Sequence, residues 1–109
     1  MLGYARDSRH DVASDLYACL QLFYKTFPDQ LANDLYITGE SYAGHYIPAF
    51  GAFIHDQNTN NKSQTAINLK GISIGDGWTD PLHQMGAIPG LMYNLGLTDT
   101  AQNLVRVGQ

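Results

Sequence analysis

The stretch from Asp34 to Pro48, DLYITGESYAGHYIP, carries a short apolar run straight into a serine set between two glycines. Leu35 to Thr38 reads as a strand, and Ala43 to about Gln57 reads as a helix that Pro48 bends rather than ends. A chain that must pass from strand to helix within a few residues has few geometries open to it. Glycine at 39 and 44 removes the side chains that would collide where strand and helix meet, and the residue between them takes a strained, tight turn. The pattern reads as Gly-x-Ser-x-Gly, the nucleophile elbow. Such a turn lifts the Ser41 hydroxyl above the sheet edge and aims the first free N–H groups of the helix at the same point, so that the Tyr42 N–H is placed to hold an oxyanion. The same residues also suit a plain strand-to-helix turn with a serine cap. A phosphate-binding loop does not fit, because neither a Walker pattern nor G-x-G-x-x-G is present.

The flanking sequence supplies the rest of a crossover unit. From Ser8 to about Phe27, the residues Val12, Leu16, Cys19, Leu20, Phe23 and Phe27 recur at helical spacing, with Ser8 and Asp11 as a capping-box-like pair, Asp15 beyond them and Pro28 as the stop. This spacing puts Cys19 in the core. As the single cysteine it allows no internal disulfide and no thiolate metal site. Asn58 to Thr65 is a polar loop, Leu69 to Ile74 a second strand, and Gly75 to Pro81, GDGWTDP, a glycine-punctuated turn. Helical pieces follow from Pro81 to Leu95 and from Thr98, separated by Gly96. Strand, helix and strand in that order give an α/β class with a parallel sheet. With only two strands the sheet is incomplete, so its edges and the helix faces beyond them are expected to lie open. The abrupt start at Met1 and the break after NLVRVGQ suggest a segment of a larger domain.

Composition narrows the partners. The 109 residues are 44% apolar and 15% charged, a globular composition of ordinary hydrophobicity. The net charge is −4, and the six basic residues, Arg6, Arg9, Lys25, Lys62, Lys70 and Arg106, are scattered, which argues against nucleic acid. The N-terminus lacks the apolar run of a signal peptide, and no window approaches the roughly 18 apolar residues of a membrane span. No cofactor or metal is implied.

TGESYAGHYIP, preceded by DVASDLYACLQLFYKTFP and followed by NLKGISIGDGWTDP, resembles the serine carboxypeptidase family of the α/β-hydrolase fold. Within it the likeness is greatest to the vitellogenic carboxypeptidase-like members, where aspartate also replaces asparagine in the GDG turn. The resemblance runs from about Gly3 to Gln102 and leaves Asn103 to Gln109 unplaced. It implies a single partial α/β-hydrolase domain over 1–109, with a helical insertion starting near 81–109. It makes Ser41 the acyl-forming nucleophile, the Tyr42 N–H one half of the oxyanion hole, and Glu40 an acid that helps bind the C-terminal carboxylate of a peptide substrate. An acid binds an anion only if it is protonated or shares a proton with a second acid. The triad Asp and His follow the serine in chain order and would lie beyond Gln109. The upstream glycine-rich segment that completes the oxyanion hole is also missing.

Other residues take lesser parts. Asp76 either walls the pocket or stabilises its own turn. Trp78, Tyr42 and Tyr46 are candidates for a hydrophobic side-chain pocket, with Tyr46 better suited to the core. Asp80 reads as the cap of the next helix. His45, four residues past Ser41, is expected to pack beneath the turn rather than serve as base, and His10, His55 and His83 lie elsewhere. Asn61-Lys62-Ser63 is an N-glycosylation sequon, compatible with a secretory, lysosomal, vacuolar or extracellular parent. The expected substrate is a peptide with a free C-terminal carboxylate. An esterase or acyltransferase with the same elbow, or a non-catalytic truncated product, remain alternatives, and the isolated chain is expected to be inactive and marginally folded.

Overall fold

The computed structural model describes residues 8–61 and 64–101. Helical periodicity from Ser8 onward produces α1 (Ser8–Thr26), with Asp11 in its first turn and Lys25 in its last, where each complements the helix dipole. Pro28 both stops α1 and opens a short 3-10 helix, Pro28–Ala32. The chain then forms β1 (Leu35–Glu40), α2 (Ala43–Asn60), β2 (Leu69–Gly75) and α3 (Pro81–Asn94). It divides into two compact units between Gly77 and Trp78.

In the first unit β1 and β2 pair in parallel, with α2 as the crossover between them. The register runs from Tyr36 opposite Gly71 to Glu40 opposite Gly75, after one irregularity beside Leu35. β1 is therefore two residues longer than its apolar run. Gly39 and Glu40 have little strand preference of their own, but pairing with Ile74 and Gly75 holds them extended. α2 likewise outlasts its apolar pattern, passing through Pro48 and ending at Asn60, so the polar loop begins later than expected.

α2 covers the strands and α1 packs on α2 rather than on the sheet. Ala13, Tyr17 and Tyr24 of α1, Phe50 and Ile54 of α2, and Ile67 just before β2 form the core. The Tyr17 ring meets Phe53 edge-on, with centroids 5.4 Å apart. This overturns part of the sequence expectation for α1. The face expected to be buried, Leu16, Cys19, Phe23 and Phe27, turns outward: Leu16 is 41% exposed, Phe23 43% and Phe27 53%, and Cys19 is exposed. The helix is apolar on two sides, because Tyr17 and Tyr24 make a second stripe at helical spacing with Ala13, and α2 covers only that one. Leu20 borders both.

The connection into β2 is held by side-chain amides. Asn58 donates from Nδ2 to the Ile67 carbonyl at 2.8 Å and accepts the Ile67 N–H at 2.9 Å. Gln21 does the same to Thr65, at 2.6 and 3.2 Å. Asn68 Nδ2 adds a bond to Asp34 Oδ1 at 2.9 Å. The Asn58 and Gln21 amides each imitate a strand neighbour, satisfying a main-chain N–H and C=O together.

The second unit contains α3. Asp80 caps it as expected, accepting the His83 N–H at 3.3 Å, while the Gln84 side chain accepts the N–H groups of Thr79 and Asp80 at 2.9 Å each. At the other end Gly96, at φ +70°, and Leu97 return their N–H groups to Tyr93 and Met92, the glycine-terminated stop that the sequence led one to expect.

Candidate active site

Ser41 is the residue at which the sheet ladder hands over to the helix ladder. Its N–H donates to the Gly75 carbonyl of β2 at 3.0 Å, and its own carbonyl accepts the Gly44 N–H of α2 at 3.0 Å. Serving both ladders forces φ to +57°, in the left-handed region that non-glycine residues seldom enter. The side chain is exposed, and its hydroxyl has no hydrogen-bond partner among the described residues.

The first turn of α2 is tight, with the His45 N–H bonded to the Tyr42 carbonyl at 3.0 Å. The N–H groups of Tyr42 and Ala43, among the orphan donors every helix start possesses, bond to nothing among the described residues. Two free donors thus adjoin an exposed hydroxyl. Close approach explains the first glycine: a β-carbon on Gly39 would stand 2.6 Å from Cβ of Ala43 and 2.9 Å from Cδ1 of Ile47. The second glycine position of the strict Gly-x-Ser-x-Gly pattern is in fact filled by Ala43, with Gly44 one residue later and buried. Ala43 is admissible because its methyl group occupies the space that Gly39 leaves.

The structure brings Glu40, Ser41, Tyr42 and Asp76 to one place, the C-terminal edge of the parallel pair, where open α/β sheets bind ligands. Glu40 is the exposed last residue of β1. Its Cγ lies 3.8 Å from where a β-carbon on Gly75 would be, so its stem leans over the end of β2. Asp76 is exposed and left-handed at φ +42°. Its carboxylate accepts no hydrogen bond among the described residues, so it does not brace its own turn through the side chain. The Tyr42 ring, 49% exposed, lies 4.9 Å from the half-buried His45 ring and 5.1 Å from that of Tyr46. His45 is therefore engaged by Tyr42, in line with the packing role expected of it.

Asn61 lies apart from this edge. Asn61 caps the far end of α2, roughly 27 Å from Ser41 at 1.5 Å per residue, and its Nδ2 donates to Gln57 Oε1 at 3.1 Å. Lys62 and Ser63 of the sequon lie outside the described residues, as do Asn103 to Gln109 and the His10 side chain. Trp78 belongs to the second unit, and there His83 Nδ1 pairs with Asp80 Oδ2 at 2.5 Å. His55 is exposed on α2. Among the described residues no group of three or more His, Cys, Asp or Glu could hold a metal ion, and no helix is long and apolar enough to cross a membrane. The residue that sequence reasoning missed is Gly75, whose carbonyl holds the elbow. A glycine closing the second strand was its only local signal.

Serine nucleophiles of α/β-hydrolases are presented in this manner, on a left-handed turn between a central strand and the helix behind it. The serine carboxypeptidase family model matches residues 4–106, and the chain belongs to that family. It is 48% identical over 103 residues to the probable serine carboxypeptidase CPVL of Dictyostelium discoideum, covering 94% of this chain and 20% of that protein. Serine carboxypeptidase 3 of Triticum aestivum is 50% identical over 99 residues, covering 88% and 20%. Among solved structures, the prohormone-processing carboxypeptidase Kex1(delta)p of Saccharomyces cerevisiae superposes with a TM-score of 0.77 at 34% identity, over 83% of this chain and 19% of that one. The fold is thus part of an α/β-hydrolase. The chain spans about a fifth of the length of these relatives.

Proposed function

We propose that this chain is the nucleophile-bearing segment of a serine-type carboxypeptidase, which releases C-terminal residues from peptides through an acyl-enzyme. The observation that carries the reading is the Ser41 turn: an exposed hydroxyl on a left-handed residue, beside the free N–H of Tyr42. In the reaction Ser41 Oγ attacks the carbonyl carbon of the last peptide bond while a base takes its proton. The C–N bond breaks, the C-terminal residue leaves with a proton, and water then hydrolyses the Ser41 ester. The Tyr42 N–H serves as one donor to the oxyanion. Among the described residues no histidine hydrogen-bonds to Ser41. In the family order the triad Asp and His come later in the chain, so the 109 residues alone do not turn over peptide.

Glu40, beside the nucleophile and leaning over β2, takes part in binding the substrate's C-terminal carboxylate. The second unit begins the helical insertion. A secretory, lysosomal or vacuolar setting, with a glycan on Asn61, is supported by the sequon.

The test is made on the full-length protein carrying this segment. A peptide with a free C-terminal carboxylate is expected to give a higher kcat/KM than its amidated twin, and Glu40→Gln to narrow that ratio. Equal rates for the two peptides would remove the carboxypeptidase reading. Hydrolysis of simple esters alone, lost in Ser41→Ala, would reassign the segment to an esterase.

A further inference from the structure

We propose that Asp76 is a positioning residue for the nucleophile, acting through the Gly75 carbonyl. Among the described residues only two that are not glycine have positive φ, Ser41 at +57° and Asp76 at +42°. Glu40 opposite Gly75 is the last pair in the register, so these are the first residues past the ends of two adjacent strands. One hydrogen bond joins them: the Ser41 N–H donates to the carbonyl of Gly75, at 3.0 Å. That carbonyl belongs to the peptide plane between Gly75 and Asp76, whose orientation is fixed by ψ of Gly75 and φ of Asp76. A left-handed Asp76 lets the chain leave β2 while this plane keeps its strand orientation and presents its oxygen to Ser41. At an ordinary negative φ, either the plane rotates away from Ser41 or the chain beyond it takes a different course.

The consequence for Ser41 is direct. Its carbonyl is held by the Gly44 N–H, and its N–H by Gly75 alone. Without the second bond nothing on the sheet side opposes relaxation of Ser41 out of its left-handed well, and the hydroxyl moves with the backbone. Aspartate, like asparagine, enters this region more readily than other side chains, and β-branched residues scarcely do so. Since the Asp76 carboxylate has no hydrogen bond among the described residues, backbone conformation is the property the position supplies.

The inference rests on the reading of Ser41 as nucleophile, and the test separates the two. In the full-length protein, Asp76→Asn and Asp76→Gly are expected to keep kcat for a free-acid peptide within about threefold. Asp76→Val is expected to lower kcat by at least about tenfold with little change in KM, as misplacement of a reacting group does. Hydrogen exchange at the Ser41 amide should speed up in Asp76→Val while that at Gly44 does not. If Asp76→Val does not fold, Asp76→Ala reads the same pair of measurements at smaller amplitude. Wild-type kcat and Ser41 protection in a folded Asp76→Val or Asp76→Ala overturn the inference, and so does an equal loss in Asn, Gly and Val variants, which would assign the role to the carboxylate. Activity that survives Ser41→Ala overturns the nucleophile reading instead. An inactive Ser41→Ala beside a fully active Asp76→Val sinks only the present inference.

Discussion

The two ends of the β1–α2–β2 unit are built differently. Where the strands start, side chains hold the chain: Asn58 grips both main-chain groups of Ile67, Gln21 grips those of Thr65, and Asn68 reaches Asp34. Where the strands finish, main chain does the holding, through Ser41 to Gly75 and Gly44 to Ser41, and the exposed side chains of Glu40, Ser41 and Asp76 make no hydrogen bond among the described residues. Two non-glycine residues are left-handed there, a strain of about 1 kcal/mol or more each. The contrast shows how a parallel α/β unit divides its work. Polar side chains used as clamps are lost to other contacts, so the edge that carries Ser41 is fixed by backbone geometry and close glycine packing, and stability is secured at the opposite edge.

Substitutions at either end sharpen or break that division. The largest effect belongs to Gly39→Val: with a β-carbon 2.6 Å from Ala43, strand and helix must separate, costing about 3 kcal/mol. Both the thermal midpoint and kcat of the full-length protein should fall. Asn58→Ala comes next. It leaves the N–H of Ile67, a residue only 2% exposed, without its partner and its C=O with the Leu69 N–H alone, at about 2 kcal/mol. The midpoint should drop while kcat, measured where the variant is folded, stays near wild type. Gln21→Ala removes the equivalent clamp from exposed Thr65 and should cost only about 0.5–1 kcal/mol in denaturant titration. A kcat loss in Asn58→Ala as deep as that of Gly39→Val would show that the two ends are not separate in function.

Much of this was legible from local chemistry. The strand-to-helix turn at Ser41, the Asp80 cap and the Gly96 stop are each specified by residues a few positions apart, and each stands where the sequence puts it. The failures are non-local. β1 reaches Glu40 because β2 pairs with it, and α1 buries Tyr17 and Tyr24 rather than Phe23 and Cys19 because the layer α2 provides lies on that side. A helix apolar on two faces does not declare which one will be covered. The Gln21–Thr65 clamp spans 44 residues of sequence and had no pattern to betray it. At the site, Ser41 and Tyr42 were readable from the turn, whereas the part of Gly75 depends on a bond across strands.

On the proposed function, the left-handed turn makes Ser41 the reactive nucleophile of the protein that carries this segment. Labelling the full-length protein with an active-site-directed fluorophosphonate, followed by peptide mapping, tests it most directly. One label per chain is expected, on Ser41, absent from Ser41→Ala. A label on another serine, or peptide turnover that continues with Ser41 unmodified, would contradict it.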